Sequence, residues 1–167
     1  MGEYKQHMKV KAITDEDFVN YKKPCMFIST CFCDWKCCHE ANISESVCQN
    51  NGLVRMRTID MSADEIFRRY INNPISESVV IAGLEPMKQF DEIYELIKYF
   101  RENNCDDMFV IYTGYYPEEI KESINELTKL KNITFKFGRY IPNQASHYDN
   151  ILGVELASNN QYGKVIC

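Results

Sequence analysis

Residues 25–48 read CMFISTCFCDWKCCHEANISESVC and hold six of the chain's eight cysteines. Thiolates are soft ligands that favour zinc, copper(I) or iron–sulfur clusters. The start of the run decides the fold. MFIST (26–30) reads as a short buried strand that delivers the chain into a cysteine loop. Outward from that strand, apolar runs alternate with amphipathic ones.

DMSADEIFRRYINN (60–73) reads as a helix: Ser62 with Glu65 makes a capping box, and Ile66, Tyr70 and Ile71 give an apolar face. SVVIAG (78–83) is a strand ending in glycine. FDEIYELIKYFREN (90–103) places Phe90, Ile93, Ile97 and Phe100 at helical spacing, with acids early and bases late. MFVIYTG (108–114) is a third strand. YPEEIKESINELTKL (116–130) is a third helix that tolerates Pro117 in its first turn. NITFKFG (132–138) is a fourth strand, and NILGVELASNNQYGKVIC (150–167) predicts a short strand, a polar turn and a final apolar segment. Such alternation is the pattern of a parallel sheet with crossover helices. Ligands of these sheets sit outside the carboxyl ends of the strands. The cysteine loop, GLEP (83–86) and TGYY (113–116) all fall at those ends.

The 167 residues, 45% hydrophobic and 26% charged, suit one domain with its own core. A formal net charge of -5 argues against a nucleic-acid partner. MGEYKQHMKVKAITDEDF (1–18) has no apolar core of a secretory signal, MGEYKQ lacks the Ser or Thr that favours myristoylation, and no stretch approaches the ~18 apolar residues of a membrane span. A cytoplasmic location without membrane partners is the expectation. In a reducing compartment, clustered cysteines point to metal or catalysis rather than disulfides. There is no G-x-S-x-G elbow, no P-loop and no G-x-G-x-x-G.

Cys33-x3-Cys37, followed after ten residues by Cys48-Gln49-Asn50, resembles the C-x3-C-x2-C of radical S-adenosylmethionine enzymes. The similarity is to the activating proteins of anaerobic ribonucleotide reductase. CHEANISESV (38–47) stands where that family has two residues. AGLEPM (82–87) is similar to its GGEPL loop, with Leu84 in place of a glycine. IYTGYYPEEI (111–120) resembles its YTGY segment, and KFGRYIPN with LGVELASNNQ resembles its C-terminal DGPF and GSSNQ.

The resemblance implies a single domain over residues 1–167: a small, incomplete (β/α) barrel-like, mostly parallel sheet with helices on its outside. It implies a 4Fe–4S cluster on Cys33, Cys37 and Cys48, with S-adenosylmethionine on the remaining iron. One electron would then release methionine and a 5′-deoxyadenosyl radical. Gly83 and Glu85, with Thr113 and Gly114, would help seat the nucleotide. A glycyl radical enzyme, most readily anaerobic ribonucleotide reductase, would be the partner, and a flavodoxin-like protein the electron donor. A different protein or peptide substrate is compatible with the same motif.

Alternatives stay open in the residues themselves. Cys33, Cys37, Cys38, His39 and Cys48 could furnish a tetrahedral zinc set in a non-catalytic module, although C-x2-C knuckles are absent among them. Cys38 competes with Cys37, and Cys31 with Cys33. Cys25, Cys105 and Cys167 read as ordinary thiols, and His39 as a surface residue. Phe32 and Trp35 could shield a cluster. Glu85 could simply be an acid ahead of a helix. Tyr112 reads as packing; Tyr115 and Tyr116 as stacking or packing; Ser158, Asn160 and Gln161 as a turn or a nucleotide-facing segment.

Overall fold

The computed structural model of the chain describes residues 6–167; the reading of residues 1–5 lies outside them. In chain order the elements are β1 (His7–Val10), β2 (Ala12–Asp17), β3 (Cys25–Thr30), α1 (Lys36–Glu40), α2 (Asn51–Arg55), β4 (Ile59–Ser62), α3 (Ala63–Ile71) and β5 (Ser78–Gly83). They continue with α4 (Phe90–Glu102), β6 (Met108–Tyr112), α5 (Lys121–Leu127), β7 (Ile133–Phe137), β8 (His147–Asp149), β9 (Val154–Leu156) and β10 (Tyr162–Val165).

Six strands form a mixed sheet in the order β10-β7-β6-β5-β3-β2. The middle four, β3, β5, β6 and β7, are parallel, and each lies beside the strand that precedes it in the sheet. β2 and β10 close the two edges in antiparallel sense. The protein is thus α/β with a parallel centre and antiparallel borders. β1 pairs with β4 and β8 with β9 in two separate ribbons.

Strand alternation sends successive side chains to opposite faces. Met26, Ile28, Val79, Ile81, Phe109, Ile111, Ile133, Phe135 and Phe137 share one face with the buried residues of α3, α4 and α5. All three crossover helices therefore lie on the same side. Phe100 anchors that layer, with ring centroids 5.0 Å from both Phe67 and Phe109 in edge-to-face contact. Such pairs add about 0.5–1.5 kcal/mol each beyond the area they bury. Cys25, Val80, Ala82 and Val110 face the other way, toward Tyr21, Leu152 and Leu156.

The capping box of α3 is present in both directions, Ser62 accepting from the Glu65 amide and Glu65 from the Ser62 amide. Its apolar face differs from expectation in one residue. Ile66 and Tyr70 are buried, but Ile71 is 52% exposed and Phe67 takes the inward place. Five residues at 100° each put Ile71 well off the stripe set by Ile66. The segment expected as one third helix is three pieces: a 3-10 turn at Pro117–Glu119, α5, and a 3-10 turn at Thr128–Leu130. No helix among the described residues is long and apolar enough to cross a membrane.

Candidate metal centre

The carboxyl ends of β3, β5, β6 and β7 form one rim, and hydrogen bonds knit its loops together. After β3, the Phe32 carbonyl accepts from the Glu85 amide at 2.7 Å, which fixes the cysteine loop against the loop after β5. Asn50, two residues beyond Cys48, donates its side-chain amide to the Gly83 carbonyl at 2.6 Å. One end of the cysteine segment is thus tied to each side of the GLEP turn.

Gly83 is demanded by the sheet itself. Its φ is +91°, and a Cβ there would meet the Ser29 Cα at 2.9 Å and the Thr30 amide at 3.0 Å. That region and that approach leave room only for glycine. Glu85 is buried, and both its oxygens are engaged: Oε1 accepts from the Thr113 hydroxyl at 2.7 Å and the Met87 amide at 3.0 Å, Oε2 from the Gly114 amide at 2.8 Å. Burial pushes its carboxyl up, against the Gly114, Met87 and Thr113 donors. The structure therefore brings Gly83, Glu85, Thr113 and Gly114 into one bonded unit, with Glu85 as the latch between two loops.

The cysteines divide into groups. Cys38, at 2% exposed, is the innermost thiol of the loop, with its Sγ 4.0 Å from that of Cys37. Burial first, and then Cys37, Cys48 and Cys33, push the Cys38 thiol up to about 12. Those four thiols share one neighbourhood. Burial likewise raises Cys33 to about 11, against the Trp35 amide, which donates to its sulfur at 3.3 Å. Trp35 stands at φ 57°, the left-handed turn from which α1 starts.

Cys31 belongs elsewhere. It is buried among Thr58, Lys11, Lys9 and Glu92, with its amide bonded to Gln89 Oε1 at 2.6 Å. Cys25 is fully buried in the sheet beside Asp17, raised to about 12 by burial and then by that carboxylate. Cys105 and Cys167 pack against the helix-side core. His39 points outward to Glu45 at 3.2 Å. Among the described residues, no three His, Cys, Asp or Glu side chains stand ready-gathered around a metal position. The donor chemistry fits a soft metal group all the same: Cys33, Cys37, Cys38 and Cys48 belong to the loop at the rim where a sheet of this kind presents its ligands.

α1 itself is held by charge. Arg139, in the loop after β7, donates from Nε to Glu40 at 2.6 Å, and from Nη1 to Glu119 at 2.6 Å and to the Gly114 carbonyl at 3.2 Å. Lys36 reaches the other Glu119 oxygen at 2.5 Å, and Asp34 takes the Tyr115 hydroxyl and lies 3.5 Å from the Lys88 ammonium. Although burial opposes it, Arg139, Lys36 and the Tyr116 amide hold the Glu119 carboxyl down at about 2.

The tyrosines are engaged within the protein. Tyr112 donates to the Asn20 carbonyl and packs on the face away from the helices, whereas the Tyr116 hydroxyl accepts from Asn160 at 2.8 Å. Ser158, Asn160 and Gln161 form a self-bonded turn that also holds the Gly138 and Arg139 carbonyls. Gln89, Arg139 and Lys136 were not singled out in the sequence, and Asn50 entered only as the close of the Cys48-Gln49-Asn50 motif. The available signal was a cationic Lys inside the apolar strand TFKF.

The protein is an iron–sulfur protein on an α/β scaffold. The family model described as a 4Fe-4S single cluster domain matches residues 22–161, and the chain belongs to that family. Membership decides between the two metals left open by the residues, in favour of the cluster. No curated protein matches the chain.

Proposed function

We propose that the protein is a radical S-adenosylmethionine activase that generates a glycyl radical on a partner enzyme, with anaerobic ribonucleotide reductase as the first candidate. What supports this reading is that the loop carrying Cys33, Cys37 and Cys48 is tied by hydrogen bonds to the Gly83–Glu85 loop, which Glu85 joins to Thr113 and Gly114. One-sided winding of β3, β5, β6 and β7 supports reading the sheet as part of the wall of an incomplete barrel.

In this reading Cys33, Cys37 and Cys48 would hold the cluster, with only Cys37 on α1 and the other two in the flanking loop segments. Bound there, the cluster supplies the electron that splits the sulfonium of S-adenosylmethionine. The protein's own residues orient and shield. Gly83 and Glu85, with Thr113 and Gly114, shape the nucleotide seat, where backbone carbonyls serve the methionine ammonium because Glu85 is occupied by its latch. Phe32, at 47% exposed, and the half-buried Trp35 flank the thiols and limit access of water. A flavodoxin-like donor in the cytoplasm completes the scheme.

Anaerobic reconstitution with S-adenosylmethionine and dithionite tests the proposal, with 5′-deoxyadenosine as product. Cys33→Ala and Cys48→Ala are expected to lose iron and sulfide, while Cys31→Ala retains both. A full iron and sulfide complement in the first two variants would refute the ligand assignment. A loaded wild-type protein that yields no 5′-deoxyadenosine would refute the activity.

A further inference from the structure

Lys11 follows β1 at the bend that leads into β2, and it is 8% exposed. The β1–β4 ribbon places it: Val10 pairs with Ile59, so the next residue stands level with the short link from α2 to β4. Its amide donates to the Ser29 carbonyl of β3 at 2.8 Å. Its ammonium donates to the Met56 carbonyl at 2.8 Å and lies 3.4 Å from the Val54 carbonyl. One residue thus grips both ends of the cysteine segment: β3, which leads into it, and α2, which leads out.

A short run of backbone bonds connects that grip to Cys48. The Met56 amide donates to the Leu53 carbonyl at 3.1 Å, the Leu53 amide to the Asn50 carbonyl at 3.0 Å, and the Asn51 amide to the Cys48 carbonyl at 2.9 Å. α2 has only five residues, too few to be stable alone. Its N-terminal side is tied to Gly83 through Asn50, and its C-terminal carbonyls are tied to Lys11. Lysines near helix ends often close the last carbonyls in this way. Here the ammonium is enclosed and its acceptors are neutral, an arrangement that an apolar side chain would avoid. Buried charge adds little net stability, and its best-attested use is to fix register.

We infer that Lys11 is a positioning residue for Cys48: by clamping the C-terminal end of α2 to β3, its ammonium fixes where that thiol is presented on the rim. This rests on the assignment of Cys48 as a cluster ligand, but not on the nucleotide chemistry. Without the ammonium the end of α2 is freed, and Cys48 leaves its iron more often. Loss of one charge-assisted hydrogen bond raises the open population of α2 about tenfold.

The test uses the full chain, reconstituted anaerobically with iron and sulfide and without nucleotide. It reads iron release to a ferrous chelator, together with amide exchange. Lys11→Met keeps an apolar stem and removes the donors. It should release iron about tenfold faster, and the Leu53 and Met56 amides should exchange faster by the same factor, while amides between β5 and β6 stay slow. Lys11→Arg, which keeps a cationic donor, should return both toward wild type. Should Lys11→Met fail to fold, Lys11→Gln takes its place with the same expectation. Failure of Lys11→Met to take up iron, with the β5–β6 amides still slow, also supports the inference. Faster exchange in α2 with unchanged iron release overturns it and leaves Lys11 a brace of α2 alone. Unchanged exchange at Leu53 and Met56 overturns it, as does equal acceleration between β5 and β6, which marks a general loss of stability. Release from Lys11→Arg as fast as from Lys11→Met overturns it too, because the cationic donor is then not what acts. Failure of the ligand assignment shows separately, as iron retained in Cys48→Ala.

Discussion

Arg139→Ala isolates the force that holds the cysteine helix in place. α1 has five residues, too few to be stable alone, and Cys38 is its one buried residue. Arg139 is 11% exposed at its side chain, and its partners Glu40 and Glu119 are 50% and 24% exposed. The Glu40 pair is half in solvent and contributes about 0.5 kcal/mol. The more enclosed bond to Glu119 is charge-assisted and contributes about 1.5 kcal/mol, and the Gly114 carbonyl bond about 1 kcal/mol. Of these partners only Glu40 lies on α1, so undocking of α1 should become easier by about 0.5 kcal/mol, roughly a twofold rise in its open population. Amide hydrogen exchange reads this directly. The His39 and Ala41 amides bond within α1 at 3.0 and 3.1 Å, to the Trp35 and Cys37 carbonyls. They should exchange faster by that factor, while amides between β5 and β6 stay unchanged. Arg139→Lys, which keeps the charge but loses the fork, should fall between. Exchange more than about tenfold faster would refute the account, since it exceeds what the Glu40 pair supplies. It would mean that Arg139 also holds α1 indirectly, through the Glu119 and Gly114 loops.

Acid should release the same clasp. The Glu119 carboxyl lies at about 2 in the folded protein against an ordinary 4.5, so its stabilisation is complete above about 4.5 and is lost as pH falls toward 2. Trp35, the single tryptophan, stands at the start of α1, and its fluorescence should report a transition in that window that Glu119→Gln removes. Gly83→Ala should cost about 1–3 kcal/mol through its left-handed backbone. The melting temperature should then drop by several degrees; a thermal scan within one degree of wild type would contradict the close approach to Ser29. Ser62→Ala should cost about 1 kcal/mol by removing the cap of α3. Urea unfolding measures it, and an unchanged midpoint would show that the capping box adds nothing.

Much of the sheet was legible in the chain. MFIST, SVVIAG, MFVIY and ITFKF each became a parallel strand, because short apolar runs bounded by polar turns have few other ways to be buried. The antiparallel edges were not legible. AITDED in β2 is acidic and half-exposed, so its place beside β3 comes from pairing and not from hydrophobic pattern. β1 and β4 likewise pair across 49 to 55 residues, and such contacts leave no local trace. Ile71 was misplaced because the sequence gives a period, whereas the packed partner α4 selects the stripe.

At the rim the division is similar. The sequence alone determined that thiols, a GLEP turn and a TGYY turn occur at strand ends, since strand and loop assignments follow from local composition. Only the tertiary structure decided that both Glu85 oxygens are filled by Thr113, Gly114 and Met87, that Asn50 reaches the Gly83 carbonyl, and that Cys31 has its amide on Gln89 while Cys38 is the innermost thiol of its loop. Those outcomes depend on distances between residues far apart in the chain. Distance, burial and the charge that reaches a buried group are set by how the layers pack, and packing is a property of the whole fold.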